Sequence, residues 1–441
     1  PKVKAEYKRP GYNVIFITLD TLRADRLGAY GYEKNTSPII DGLARESIVF
    51  ENSYANATWT LPSHMSLMTS LYTTMHRVDD QTVKLSGSIR TLSEVFKEQG
   101  YTTAAFTAGY LVSKVFGFDR GFDLYKEEYL TKTENDGQGY RLKQILKNMF
   151  FWLDEHAEEQ FFLFLHSYDI HEPFIAHEYL KEFEDQYDGP LQFLNSHKEL
   201  ISHPEYPRFK GMVEGYLNIN IFYRDIINTG KIKLTEADIG HIRALYDNEV
   251  RYADFYIGKL LQKLEELGLA DTTILVIWSD HGEELLERGR IQHGGSLYEE
   301  IIRVPLILHL PGYKANGVNT RLVQSIDIAP TLCDIVDILP APGFMGRSVL
   351  SPDESENEYV IAEQLRVKTL RSKRYKLIAS NQTEGKILLF DLESDPFERS
   401  NIASEKPDIV NELKTKLFDT LGLVNLDKEM IKKLRSLGYI K

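Results

Sequence analysis

The stretch "NVIFITLD", residues 13–20, decides the fold. It is short, apolar and rich in β-branched residues, with no alternation of polar and apolar positions. Such a run reads as a strand buried on both faces, the habit of parallel sheets covered by helices. Four further runs share the pattern: "TTAAFT" (102–107), "FFLFLH" (161–166), "TILVIWS" (273–279) and "VPLILHL" (304–310). Helical signals lie between them. Ser37-Pro38 reads as an N-cap followed by proline at the first helical position. Thr91 to Glu94 fits a capping box, and Thr235 to Asp238 resembles one at the head of a long helix. That helix carries an apolar stripe from Ile242 to Leu264, and Gly268 is placed to end it. The alternation predicts an α/β fold: a large, mostly parallel sheet sandwiched by helices.

The chain has 441 residues, enough for a sizeable core, and 42% of them are apolar. Its formal charge of −13 argues against a nucleic-acid partner, which would need a basic face. Cys333 is the sole cysteine, so no intrachain disulfide forms. No run of about 18 apolar residues is present, and no integral membrane segment is expected. The opening "PKVKAEYKRP" does not read as a signal peptide. A soluble chain is expected, cytoplasmic or exported after removal of an upstream segment. A catalytic α/β domain is expected over residues 1–339, with an insertion at 175–234 that could act as a lid. After "LPAPGF" (339–344), alternating strands and terminal helices over 406–437 predict a smaller α+β subdomain, residues 340–441.

In open α/β sheets, ligands bind beyond the carboxyl ends of the strands. Asp20 follows the first run, Asp169 and His171 follow the third, and Asp280 and His281 follow the fourth. Carboxylates and imidazoles from distant segments thus meet at one edge. A mixed oxygen and nitrogen set suits Zn²⁺ or Mn²⁺ better than Ca²⁺, which prefers oxygen alone. In "TWTLPSHMSLMTS" (58–70), Pro62 suits the first turn of a helix that starts near Thr60. Thr60 reads both as a helix cap and as a nucleophile, since a helix N-terminus favours a bound anion. His166 reads as a strand-end core or turn residue, and His76 as a helix-end cap.

These residues resemble the sulfatase-like branch of the alkaline phosphatase superfamily. The resemblance is carried in order by "NVIFITLDTLRADRLGAYGY", "TLPSHMSLMTSLY", "FGFDRGFD" (116–123), "HSYDIHEPF" (166–174), "SDHGE", "HGGSLYEEIIRVPLIL" (293–308), "SIDIAPTLCDIV" and "LFDLESDPFERSNIA". It implies that Asp20, Asp280 and His281, with Thr60, hold a divalent metal. It implies that Thr60 stands where sulfatases place the Cys or Ser converted to formylglycine, in a motif read here as Thr60-Leu61-Pro62-Ser63-His64. It places His171 and His293 at the ester oxyanion or leaving group, and His64 at the developing charge. A second metal on Asp169, His171 and His293 would mimic the second site of alkaline phosphatases.

The departures carry information. Threonine is not converted to formylglycine. The paired aspartates after the first strand are here Asp20-Thr21, and Lys114 is only a weak substitute for the family's Lys-x-His. Each change points toward the phosphatase, phosphodiesterase and phosphonate ester hydrolase relatives. The expected function is metal-dependent hydrolysis of a phosphate or phosphonate ester, on a small-molecule, glycan-linked or lipid-linked substrate. Three alternatives stay open: sulfate-ester hydrolysis without formylglycine, phosphotransfer to a lipid or glycan head group, and non-catalytic binding of an anionic glycan.

Overall fold

In the computed structural model the opening run forms β1 (Asn13–Leu19), buried along its whole length. The structure describes residues 7–128, 142–172, 174, 179–184, 187, 227–228, 234–313, 317–351, 356–380 and 387–422. Ile15, Ile17 and Leu19 enter the apolar cluster on one face of the sheet; Val14 and Phe16 enter the cluster on the other. Both faces are covered, which is why the sequence shows no alternation there. Each such side chain contributes roughly 1.5–3 kcal/mol through burial.

β1 pairs in parallel with β5 (Phe161–Ser167) on one side and β6 (Thr273–Trp278) on the other. Beyond β5 lie β3 (Thr102–Ala108) and β4 (Leu124–Glu128), also parallel. Beyond β6 lie β9 (Leu306–His309), β2 (Ile48–Tyr54) and β10 (Gly317–Gln324). The sheet order is β10-β2-β9-β6-β1-β5-β3-β4. This is the expected class, a large mostly parallel sheet with helices.

One expectation is corrected. The run 304–310 reads as another parallel strand, but β9 is antiparallel to both β6 and β2. An apolar run buried on both faces encodes burial and not direction. Parallel pairing needs a long crossover, usually a helix. Between β6 and β9 the chain makes only a short ribbon, β7 (Glu284–Leu285) with β8 (Ile291–Gln292), and the helix Glu299–Ile302. β2 and β10 escape the apolar-run pattern because each carries exposed polar positions.

The capping boxes at Thr91 and Thr235 form as expected, the second opening the helix Glu236–Glu266. Gly268, just past its end, has a φ of +68°, a backbone conformation that favours glycine. Ser37 precedes the helix Pro38–Ala44, but its hydroxyl donates to Asp41 instead of capping. Asp254, on the long helix, takes over that role and accepts from the N–H groups of Ile39 and Ile40. No helix among the described residues is long and apolar enough to cross a membrane.

The expected C-terminal strands form an antiparallel sheet: β11 (Tyr359–Gln364), β12 (Val367–Ser372), β13 (Tyr375–Ser380) and β14 (Leu388–Asp391). The helix Pro407–Thr420 packs against it. The insertion 175–234 lies almost wholly outside the described residues, as does the chain beyond 422. The small sheet is joined to the large one close to the Thr60 segment. Glu363 N–H donates to the Asn56 carbonyl at 2.8 Å. A buried ion cluster adds to the joint: Lys376 Nζ lies 3.0 Å from Glu299 and 2.8 Å from Glu398. Glu398 also accepts from Glu299 N–H, at the start of the Glu299–Ile302 helix. Lys376→Met would leave the buried Glu398 and the half-buried Glu299 with only the more distant Arg288 and Arg371. It is expected to destabilise the protein by about 3–5 kcal/mol, measured as a drop in the urea midpoint.

Candidate active site

β6, β1 and β5 are adjacent, so their carboxyl ends deliver side chains to one edge. Asp20 leaves β1, His166 and Tyr168 lie at the end of β5, and Asp280 and His281 follow β6. The fourth contributor is the helix Thr60–Thr69, in which every residue is buried. Ser63 ties it to the Asp280 loop by donating to the Asp280 carbonyl at 2.6 Å.

The sequence reading of Thr60 as a cap is corrected. Trp59 holds the N-cap position and Thr60 is already the first helical residue. Its side chain is thereby freed from the backbone. Thr60 Oγ donates to Asp20 Oδ2 at 3.2 Å and lies 3.5 Å from His281 Nε2.

Asp20, Asp280 and His281 each offer a ligand atom, all within 4.8 Å of one another and fully buried. Asp20 Oδ1 and Asp280 Oδ2 have no hydrogen-bond partner among the described residues. Buried acceptors without partners are costly, and a cation would satisfy them. Burial and the adjacent Asp20 charge push the Asp280 carboxyl well up. Burial acts on Asp20 too, but His166, His281 and His171 outweigh it and hold that carboxyl below its usual range. Burial, with His293 beside it, pushes His281 down to about 3. His281 Nδ1 lies 2.9 Å from the Gly282 carbonyl, so the proton sits there and Nε2 keeps its lone pair for a ligand. The residues therefore fit a divalent metal.

Gly282 holds this corner in place. Its N–H donates to the Ile301 carbonyl at 2.7 Å, and a Cβ there would overlap the Glu300 carbonyl. Thr21, in the position of the missing second aspartate, has a φ of +60° and turns its hydroxyl back to the Asp20 carbonyl.

His171 and His293 face each other with ring centroids 4.8 Å apart, and His293 lies 4.5 Å from His281. His293 Nδ1 pairs with Glu283 Oε2 at 2.9 Å. Burial raises the Glu283 carboxyl to about 8. His64 does not reach the open side of Thr60, where the sequence reading put it. Its Nδ1 lies 2.9 Å from the Thr60 carbonyl and its Nε2 3.2 Å from the Thr18 hydroxyl. Burial keeps it neutral. It is a support beneath the nucleophile position.

The expected second metal set does not converge among the described residues. Asp169 accepts from Leu142 N–H at 2.7 Å and from the Ser167 hydroxyl, which turns it toward the helix Leu142–His156. His76 is a buried structural residue: Ser66 Oγ lies 3.1 Å from its Nε2, and Val78 N–H donates to its Nδ1. Three residues were not given site roles by the sequence. His166 sits at the strand end as read, but its Nε2 lies 3.5 Å from Asp20 Oδ2. Tyr168 and Glu283 stand within the quoted motifs. Their only signal was position, one just past β5 and one beside the Asp280-His281 pair.

A family model described as Sulfatase matches residues 12–338. The chain belongs to the sulfatase family. A second model, described as "N-sulphoglucosamine sulphohydrolase, C-terminal", matches residues 294–422. Arylsulfatase K of Mus musculus is 24% identical over 434 residues, spanning 92% of this chain and 78% of that protein. The solved phosphonate monoester hydrolase of Agrobacterium radiobacter superposes with a TM-score of 0.74 at 19% identity, over 94% of this chain and 96% of that one. A structure in complex with its substrate D-glucosamine-2-N,6-O-disulfate gives 0.73 at 21% identity, over 96% and 99%. This sulfatase-family hydrolase thus shares its fold with proteins named for two ester chemistries. Its Asp20, Asp280 and His281 cluster is the place in the described fold able to hold the divalent metal typical of sulfatases.

Proposed function

We propose that this sulfatase-family enzyme hydrolyses phosphate or phosphonate esters, using Thr60 as an unmodified nucleophile. The observation that carries the reading is the Thr60 hydroxyl, released from capping and held 3.2 Å from Asp20 Oδ2. The ester anion rests at the N-terminus of the Thr60–Thr69 helix, where free N–H groups and the helix dipole favour negative charge. Thr60 Oγ attacks in line, with its proton directed to Asp20 Oδ2. His171 or His293 gives a proton to the leaving oxygen, and Glu283 fixes the orientation of His293. Water then hydrolyses the ester on Thr60. A divalent cation on Asp20, Asp280 and His281, with Zn²⁺ or Mn²⁺ favoured over Ca²⁺ by the imidazole, would neutralise charge on the anion and acidify a nearby hydroxyl. His64 keeps Thr60 and Asp280 in register from below.

The preference for phosphorus rests on the nucleophile. A threonine ester has no second hydroxyl on the same carbon to expel the anion, so water must attack the central atom. A second reading, sulfate-ester hydrolysis, is favoured by the name arylsulfatase K and by the disulfated glucosamine substrate of one structural relative. Either way the substrate is an anionic ester on a small molecule, glycan or lipid. The test is an assay of metal-analysed protein on aryl phosphate mono- and diesters, an aryl phosphonate ester and an aryl sulfate. Faster turnover of a phosphorus ester supports the proposal. Turnover of the sulfate alone would sink it.

A further inference from the structure

Tyr168 has no part in the mechanism above, yet its hydroxyl donates to Thr60 Oγ at 3.3 Å. The ring is held from several sides. It packs on His166 at 5.0 Å and on His171 at 4.9 Å between centroids. It also lies over Gly109, just past β3, where any Cβ would overlap the Tyr168 ring. Gly109 also has a φ of +83°, a conformation that L side chains rarely adopt, so the backbone there suits glycine twice over. The packing alone could be served by phenylalanine. The hydroxyl is what reaches the reacting atom, and Thr60 Oγ therefore has its proton aimed at Asp20 and a lone pair aimed at Tyr168.

We infer that Tyr168 is a catalytic residue for breakdown of the covalent enzyme ester, its O–H stabilising Thr60 Oγ as the leaving group. The inference rests on Thr60 being the nucleophile. In that step the water oxygen bonds to phosphorus, and the phosphorus–Oγ bond breaks with its electron pair going to Oγ. One water proton stays on the phosphate and the other ends on Oγ. Tyr168 keeps its own proton and donates a hydrogen bond throughout. A donor aimed at an oxygen that gains charge is worth more in the transition state than before it. The same bond favours the Thr60 alkoxide during attack, but aryl esters have good leaving groups and make that half-reaction the less demanding one.

The test compares wild type, Tyr168→Phe and Thr60→Ala with an aryl phosphate ester, by rapid mixing and by mass spectrometry of the Thr60 peptide. Tyr168→Phe is expected to keep the wild-type melting temperature and metal content. Its kcat should fall roughly 10- to 100-fold with KM unchanged or lower. A burst of phenol release should appear, and esterified Thr60 should accumulate. Wild-type kcat in Tyr168→Phe would overturn the inference alone, as would a fall in kcat with no gain in esterified Thr60. Full activity in Thr60→Ala would overturn the nucleophile reading and this inference together.

Discussion

Thr60→Ala is expected to lower kcat/KM for every ester the enzyme turns over by at least about three orders of magnitude. The variant should fold normally. Thr60 is the first residue of its helix and its hydroxyl bonds no helix N–H, so alanine removes no cap. Alanine is also the better helix former. The loss should therefore fall on chemistry alone: an unchanged urea midpoint, retained metal, and no esterified peptide at position 60. Thr60→Ser supplies the converse. It keeps the oxygen and is expected to retain much of the activity. A Thr60→Ala enzyme that is stable, metal-loaded and active would refute the assignment.

Metal removal is expected to have an effect of similar size on turnover and to lower stability in the wild type far more than in one variant. Chelation of the wild type should abolish turnover, and Zn²⁺ or Mn²⁺ should restore it more fully than Ca²⁺. A metal present at about 100 times its Kd stabilises the folded state by roughly 2.7 kcal/mol, so the loaded protein should melt higher. Asp280→Asn removes one of two buried carboxylates that repel each other without a cation. In chelator it should therefore melt above the chelated wild type. With metal added it should gain little, because a ligand is gone. This crossing of two melting curves reports on the site without any assay of activity. Identical metal-induced shifts in wild type and Asp280→Asn would rule out Asp280 as a ligand.

Much of this molecule was legible from residue order. A strand buried on both faces shows no alternation of polar and apolar positions, so 13–19, 102–107, 161–166 and 273–279 announced themselves. Capping boxes at Thr91 and Thr235 are local, within three residues, and were read correctly. The clustering of Asp20, Asp280 and His281 at one edge followed from the rule that binding sites lie beyond the carboxyl ends of the strands. The harder parts depended on partners far away in the chain. The cap of the Pro38–Ala44 helix comes from Asp254, 215 positions beyond Ile39. Asp169 looked like a ligand by spacing, but its Oδ2 is held by Leu142 N–H and the Ser167 hydroxyl and it does not join His171 and His293 in a cluster among the described residues. The direction of β9 was hidden because burial on both faces leaves the same pattern in either orientation.

The sequence by itself determined the family, the layered α/β fold and the three residues that cluster as a candidate metal site, because those depend on local pattern and on the ends of strands. The tertiary structure alone decided where the Thr60 hydroxyl points. Whether its hydroxyl caps a helix or faces Asp20 turns on a shift of one residue in where the helix begins, which packing of that helix against the Asp280 loop sets. It also brought Tyr168 and His166 to that hydroxyl and to Asp20, contacts between β1, β5 and the helix that no spacing in the chain encodes.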